Sequence, residues 1–319
     1  MGPEAHAARR KLIEDALAIV RDKYIFPDKA EESAAAIESR LAAAEYDDLD
    51  EETLGARVTE QLFTVCADKH LRLRIRAEEV HDAMTPEEEL IAWNEAQRLN
   101  NYRIARAERL DGNVGYLDLR GVTSPDIGWR AIAAAMELVT HTDALIIDLR
   151  KNRGGDPDGV QLWNSYLFPD SEVHLNNIYH AETKQTRQYW TLAYVTGERY
   201  LKPVYLLISA YTFSAGEEFA YNLQAQGRAS LIGEVTRGGA HPTKGFTLSA
   251  TMEITVPHAR SINPVTGKNW EGTGVAPDIP VPAAEAFDLA YRKALEHAAT
   301  TSTSPTVRAE AKEALAGLS

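Results

Sequence analysis

Residues 204 to 220 read VYLLISAYTFSAGEEFA, and this stretch carries the clearest fold signal in the chain. The continuous apolar run from Val204 to Ile208 is typical of a strand that is covered on both faces, as in a parallel sheet. Ser214 and Glu217 have the S-x-x-E spacing of a capping box, which predicts a helix beginning at the serine. The stretch therefore predicts a strand, a short turn and a helix, the repeating unit of α/β folds.

Ser214 has two interpretations on these letters, as a helix cap or as a nucleophile. A strand–turn–helix places a serine hydroxyl at the positive end of a helix, although the G-x-S-x-G motif is absent. The backbone N–H of Ala215 would point into the same space. The local sequence fits both interpretations, so the rest of the chain must decide.

Upstream, residues 1–70 are predicted to form an N-terminal helical subdomain of three short amphipathic helices, the third capped by Asp50. Residues 71–111 are predicted as a strand and a bridging helix. The strand is the strictly alternating HLRLRIR at residues 70–76, with Leu71, Leu73 and Ile75 on its buried face. The helix begins at the capping box Thr85-Pro86-Glu87-Glu88 and is expected to end near Arg109.

Residues 112–298 alternate between strand and helix patterns and are predicted to form the core domain. The predicted strands are 114–119, 144–149, 204–208 and 230–233, the predicted helices are 127–139, 160–167, 215–227 and 283–298, and 246–256 resembles a hairpin arm. Residues 299–319 are predicted as a linker and a C-terminal tail that can form a helix. The fold class is therefore α/β, in the broad sense that includes α+β.

Composition excludes several functions. A net charge of −13 over 319 residues argues against nucleic acid and anionic membranes as partners. No apolar run reaches the roughly 18 residues of a membrane span, and the N-terminus lacks the pattern of a secretory signal, so a cytoplasmic location is expected. The single cysteine, Cys66, allows no internal disulfide. Neither H-E-x-x-H nor a nucleotide-binding glycine motif occurs, so no metal and no cofactor are expected.

Chemistry-bearing residues collect at four places, each at the end of a strand or the beginning of a helix. They are Asp68-Lys69-His70, the segment DLRKNRGG that ends at Gly154-Gly155, Ser214 itself, and Asn269-Trp270-Glu271-Gly272. Glycines at 154 and 155 allow backbone N–H groups to approach a ligand that side chains would otherwise block.

In this order the four places resemble peptidase family S41, which includes the C-terminal processing proteases and the core of tricorn protease. The resemblance rests on D-L-R-x-N-x-G-G, T-x-S-A-x-E-x-F-A, G-E-x-T-x-G and W-E-G-x-G-V-x-P-D. It is strongest to the branch of interphotoreceptor retinoid-binding protein and extends to the N-terminal helices around DKYIFPDKAEES. The family implies a crotonase- or ClpP-like ββα core beneath an N-terminal helical cap.

The resemblance also implies roles for individual residues. Ser214 takes the position of the nucleophile, His70 that of the general base, and Glu271 that of the carboxylate that orients the base. Gly155 and Ala215 take the positions that supply oxyanion N–H groups. These roles agree with the chemistry, because a serine needs a base to attack and a carboxylate holds a histidine in the required tautomer.

The chain departs from the family at two points. The lysine base of the tail-specific branch would fall on Gly239, which excludes a Ser–Lys pair there. His241 and Lys244, from the same loop, are weaker candidates for the base. The candidate substrate-loop residues are Gly154, Gly239 and His241. The stretch between His70 and Gly112 is too short for the PDZ domain of many relatives, so recognition of substrate tails is not implied.

Two classes of function remain open at the sequence level. The first is a serine hydrolase acting on a peptide, or on a small acyl substrate of metabolism, through an acyl-enzyme. The second is a binding module for an apolar, retinoid- or lipid-like ligand, with Tyr189, Trp190, Phe213 and Phe246 as candidate lining residues. The presence of all three catalytic side chains favours the enzyme.

Overall fold

The computed structural model describes residues 3–76 and 85–318. The chain forms two compact units. Unit 1 comprises Met1–Glu89, Ile178–Arg187 and His241–Ile262; unit 2 comprises Leu90–Asn177, Gln188–Ala240 and Asn263–Ser319. Neither unit is continuous in sequence, so residues far apart in the chain contribute to each one.

Three helices build the N-terminal part of unit 1, as the amphipathic stripes predict. They are α1 (Pro3–Lys23), α2 (Pro27–Ala42) and α3 (Glu51–Cys66). The side chain of Asp50 accepts a hydrogen bond from the backbone N–H of Thr53 at 2.7 Å, which confirms it as the cap of α3. The buried faces of the helices share one core with strands from later in the chain.

The strands of that core are β1 (Arg72–Ile75), β9 (Thr243–Thr247) and β10 (Met252–Pro257), in the antiparallel order β1-β10-β9. Leu71 and Leu73 are buried as predicted, but Ile75 is 48% exposed. The prediction for Ile75 was wrong because it is the last residue of the strand and lies beside an open cavity of about 330 Å³ next to α3.

Unit 2 is built on a six-stranded sheet in the order β12-β8-β7-β4-β3-β2. Its strands are β2 (Ile104–Leu110), β3 (Val114–Leu119), β4 (Ala144–Asp148), β7 (Val204–Ile208), β8 (Ser230–Gly233) and β12 (Ile279–Pro280). All neighbours are parallel except the edge strand β2, which is antiparallel to β3. The fold is thus α/β with a mixed sheet.

Helices cover both faces of this sheet, which explains the continuous apolar runs in its strands. Side chains of α5 (Pro125–Val139), α6 (Pro157–Ser165) and α7 (Ala215–Ala225) form a core with one face. Side chains of α8 (Ala286–Thr301) and α9 (Pro305–Gly317) form a core with the other. The C-terminal tail is therefore a packed helix, with Ala311 fully buried.

The bridging helix is shorter than predicted. The capping box forms, since Thr85 N–H donates to Glu88 at 2.7 Å, but α4 (Pro86–Leu99) ends ten residues before Arg109. A 3-10 turn at Asn101–Arg103 follows, with positive φ angles of 47°, 53° and 68°, and then β2. The alternation in IARAERL is carried by alanines and charged residues, so its strand character is weak in the sequence.

A third sheet was not predicted. It contains β5 (His174–His180), β6 (Gln185–Trp190) and β11 (Ala259–Ile262), in the order β11-β5-β6. The sequences HLNNIYH and QTRQYW contain few apolar residues, and single-sequence patterning does not distinguish such strands from loops. Among the described helices, none is long and apolar enough to cross a membrane.

Candidate active site

Two turns of unit 2 meet at the carboxyl edge of the parallel strands. One follows β4 and contains Gly154 and Gly155; the other follows β7 and ends at Ser214, directly before α7. Because β4 and β7 are parallel neighbours, the two turns lie side by side. Gly154, Gly155 and Ser214, all candidates from the sequence, lie on these turns, and the fold brings them together.

Ser214 has a strained backbone, with φ 55° and ψ −125°. A residue with a side chain rarely adopts a positive φ, and such conformations cost on the order of 1–3 kcal/mol. The Ser214 N–H donates to the Glu217 side chain at 2.8 Å, so the carboxylate half of the predicted capping box forms. The turn therefore holds the serine in a fixed conformation at the beginning of α7.

Gly154 and Gly155 allow the turn after β4 to lie close to its neighbours. A Cβ on Gly154, whose φ is +95°, would lie 2.7 Å from Ser214 Cβ and 3.0 Å from Ala215 N. A Cβ on Gly155, with φ +149°, would lie 1.9 Å from Val122 O. Only glycine fits at either position.

Backbone N–H groups beside Ser214 differ in their partners. Gly154 N–H donates to Asn152 Oδ1 at 2.8 Å. The N–H groups of Gly155 and Ala215 donate to no acceptor among residues 3–76 and 85–318. Two adjacent turns thus present two donors next to the serine side chain, an arrangement that can stabilise an oxyanion.

Asn152 joins the two turns, and sequence analysis missed it. Its side chain is buried, and Nδ2 donates to Leu119 O at 2.9 Å while Oδ1 accepts from Gly154. Its carbonyl oxygen accepts from Phe213 N–H at 3.1 Å. Its fixed place in the motif D-L-R-x-N-x-G-G is the signal that could have identified it.

Glu217 is a second missed residue, because the sequence suggests only a cap. Its carboxylate is fully buried and accepts from Gly238 N–H at 2.6 Å, from Gly239 N–H at 2.9 Å, from Ser214 N–H and from the Thr236 hydroxyl. Burial raises its pKa, and these hydrogen bonds act in the opposite direction. Glu217 therefore fixes the serine turn and the loop at 238–239 to each other.

Glu271 holds the next residue of the same loop. Its Oε2 accepts from Ala240 N–H at 2.5 Å, and the indole of Trp270 donates to Gly239 O at 2.8 Å. The backbone of the loop at 238–240 is thus fixed by two carboxylates and an indole. The predicted role of Glu271 in orienting a histidine stays a prediction.

The two candidate histidines lie in unit 1, where both interact with Asp68. Oδ1 of Asp68 accepts from His70 N–H at 2.9 Å, and Oδ2 lies 2.6 Å from His241 Nδ1. Asp68 is 1% exposed, and the Tyr24 hydroxyl also donates to it at 3.3 Å. A buried carboxylate bonded to a ring nitrogen fixes the tautomer of a histidine.

The Asp68–His241 pair was not predicted. Asp68 entered the sequence analysis only as part of D-x-H, and His241 only as a weak candidate on the substrate loop. The two residues are 173 positions apart in the chain, so no local pattern could connect them. The assignments of Ser214, His70, Glu271, Gly155 and Ala215 as a catalytic set remain predictions.

The sequence matches the profile of peptidase family S41 over residues 113–281. The chain belongs to peptidase family S41. Residues 3–104 match a second profile, the N-terminal domain of S41 peptidases in eukaryotic IRBP, in agreement with the branch that the motifs indicate. Family membership places the chain among the serine peptidases.

Solved structures show the same fold. A putative peptidase from Parabacteroides merdae is similar over 86% of this chain and 89% of its own, at 16% identity and a TM-score of 0.56. A lipoprotein from Streptococcus agalactiae is similar over 91% and 96%, at 12% identity and a TM-score of 0.55. Tricorn protease covers 98% of this S41 chain, which spans 37% of tricorn, at 14% identity and a TM-score of 0.56. At these identities the likeness shows the shared fold, and the predicted fold class is confirmed.

Proposed function

We propose that this S41 chain hydrolyses peptide bonds through an acyl-enzyme on Ser214. The observation that carries the proposal is the arrangement around the serine. Its side chain begins a helix in a strained turn, and the N–H groups of Gly155 and Ala215, which have no acceptor in the described chain, lie on the two turns beside it. Strain at one residue together with unsatisfied donors is typical of a built active site.

In the proposed first step, Ser214 Oγ attacks the carbonyl carbon of the scissile bond, and its proton passes to a histidine. The carbonyl oxygen becomes an oxyanion, which the N–H groups of Gly155 and Ala215 stabilise. The histidine then gives the proton to the leaving amine as the C–N bond breaks, and the acyl group stays on the serine. Water, activated by the same histidine, hydrolyses the ester and restores the hydroxyl.

His70 is the proposed base, oriented by Glu271, as the family resemblance implies. The environment of His70 supports a fixed position, since Asp68 and the Thr255 hydroxyl bond its backbone N–H and carbonyl at 2.9 and 2.6 Å. A base can only accept the proton if it is held within hydrogen-bond reach.

His241 is the alternative candidate for the base, and its contact with Asp68 supports this role. The Asp68 carboxylate bonds its Nδ1, which is the contact that the aspartate makes with the histidine in a serine–histidine–aspartate triad. If His241 is not the base, its place after the fixed loop of Gly239 and Ala240 suits contact with substrate. Variants of the two histidines distinguish these roles.

A peptide substrate agrees better with the structure than an apolar ligand does. The cavity of about 420 Å³ beside Gly154 and Gly155 is lined by three arginines, which does not suit an apolar ligand without a charged group. Of the aromatic residues considered for such a ligand, Tyr189 and Phe213 are buried side chains with 4% and 6% exposure.

The test is hydrolysis of a quenched fluorogenic peptide library by the full chain. We expect Ser214→Ala to lower kcat on the order of 10⁴-fold or more. Ser39→Ala, at an exposed serine of α2, is the matched control and should retain full activity. Normal turnover by Ser214→Ala would refute the assignment, and a co-purifying apolar ligand with no hydrolysis would favour the binding module.

A further inference from the structure

A cavity of about 420 Å³ in unit 2 adjoins the glycine turn and takes no part in the steps above. Gly154 and Gly155 form part of its wall, and Gly154 is also the residue that contacts Ser214. Arg103, Arg120 and Arg153 line it as well. Three guanidinium groups next to a candidate oxyanion turn call for a chemical explanation.

The backbone brings these three arginines together. Arg120 N–H donates to Arg103 O at 2.9 Å, and Arg153 N–H donates to Arg120 O at 3.4 Å, so the three residues lie on three adjacent segments. Gly121 allows close packing here, because a Cβ at this position would lie 3.0 Å from Arg103 Cγ and 3.2 Å from Gly154 O. The convergence therefore follows from the sheet itself and not from flexible side chains alone.

Two of the three guanidinium groups have no carboxylate partner among the residues that the structure describes. Arg120 pairs with Asp118 at 3.1 Å. Arg103 donates to the neutral Gln97 at 3.2 Å, and Arg153 donates to Tyr211 O at 3.4 Å; within the described ranges neither forms an ion pair. Both are available to an anion from solution.

The remaining charges near the cavity leave it positive. Asp156 is the acidic residue of the lining, and its carboxylate caps α6 by accepting from Asp158 N–H at 2.8 Å. Arg237 adds a further cation close by, since its guanidinium lies 5.1 Å from the centre of the Phe213 ring and that of Arg153 lies 5.5 Å from the same centre. Burial and the charge of Arg153 both lower the pKa of Arg237, which reports the proximity of like charges.

We propose that this cavity binds a carboxylate of the substrate, held by Arg103 and Arg153. The proposal rests on the proposed peptidase function and narrows it to substrates with an acidic group near the scissile bond. A guanidinium pairs with a carboxylate through two parallel hydrogen bonds, which gives both affinity and orientation. The carboxylate belongs either to an aspartate or glutamate side chain or to the C-terminus of the peptide.

Binding to the inactive Ser214→Ala protein tests the subsite separately from catalysis. The probes are four fluorescein-labelled decapeptides, with a central Glu or Gln and with a C-terminal acid or amide. The Glu–Gln pair reports a side-chain carboxylate and the acid–amide pair reports a terminal one. Fluorescence anisotropy gives Kd for each peptide, at low and at high salt.

We expect one of the acidic members to bind at least about tenfold more tightly than its neutral partner, a preference of about 1.4 kcal/mol. Arg103→Gln and Arg153→Gln should each reduce this preference, the double variant should abolish it, and added salt should weaken it. Arg130→Gln, at an exposed arginine of α5 outside the cavity, should leave it unchanged.

Equal binding of acidic and neutral peptides would overturn the proposal. So would a loss of the acidic preference in Arg130→Gln as large as that in Arg103→Gln or Arg153→Gln. The parallel hydrolysis assay with the unmodified chain separates the two claims. Hydrolysis without an acidic preference refutes the subsite and leaves the peptidase function standing. An arginine-dependent acidic preference without Ser214-dependent hydrolysis supports the subsite and refutes the peptidase function.

Discussion

At the scale of single residues, the backbone at Ser214 distinguishes a nucleophile from a simple helix cap. A serine that only caps a helix has an extended backbone, whereas Ser214 has φ 55°. The sequence could predict the helix and its first residue. It could not predict the strained φ, because nothing in S-A-G-E-E requires a positive value.

This strain gives a stability prediction. The free energy of unfolding of Ser214→Gly should exceed that of Ser214→Ala by about 1–2 kcal/mol, because glycine adopts positive φ without strain and alanine does not. Both variants lack the hydroxyl, so the comparison isolates the backbone. Urea unfolding followed by circular dichroism measures the difference; equal midpoints would contradict a strained serine.

At the scale of secondary-structure elements, prediction succeeded where the local sequence contains a helix cap or a continuous apolar run. The helix caps at Asp50 and Thr85 and the buried strand at 204–208 all formed as expected. It failed for β2, β5 and β6, whose polar or charged sequences become strands by pairing with neighbours. The Asp68–His241 pair was not predicted for the same reason, since the two residues meet only in the tertiary structure.

The packing of the C-terminal helices gives a second prediction. Gly112, in the turn between β2 and β3, has φ +73°, and a Cβ there would lie 2.3 Å from Leu295 Cδ2 and 3.1 Å from Ala311 Cα. Gly112→Ala should destabilise the chain by about 1–3 kcal/mol through overpacking, beyond the cost of the backbone strain.

Gly267→Ala is the matched control for this effect. Its φ is +66°, close to that of Gly112, but a Cβ there would meet no atom within 4 Å. Thermal unfolding of both variants separates strain from packing. If the two substitutions cost the same, α8 and α9 do not pack on this turn as described.

At the scale of the whole molecule, the proposed catalytic groups come from both units. Ser214, Gly155, Ala215 and Glu271 belong to unit 2, and His70 and His241 belong to unit 1. Sequence motifs could identify the groups one by one. No local pattern encodes which of the two discontinuous units each group joins.

Stability of the molecule should depend on pH through Glu218. This glutamate is 4% exposed, and burial raises its pKa to about 7, with Asp156 and Asp158 adding to the rise and the side chains of Asn176 and Asn222 opposing it. Between its ordinary pKa of 4.5 and about 7, the native state binds more protons than the unfolded state. The Glu218 contribution to stability is therefore fully present at low pH and is lost as pH rises to 7.

Glu218→Gln should remove this dependence. The free energy of unfolding of the variant, relative to the unmodified chain, should rise by about 1.4 kcal/mol per pH unit across that window and level off above it. Urea unfolding at pH 5.5, 6.5 and 8 measures it, with Glu296→Gln on the exposed face of α8 as control. Parallel curves for the two variants would show that Glu218 does not titrate as its burial implies.

Covalent labelling by a peptidyl phosphonate, followed by the mass of the intact protein, tests whether Ser214 attacks with the help of His70 or His241. We expect one adduct on the unmodified chain and none on Ser214→Ala. Labelling should be slower by about 10²-fold or more in whichever of His70→Gln and His241→Gln removes the base. An adduct on Ser214→Ala, or unchanged labelling rates in both histidine variants, would contradict this mechanism.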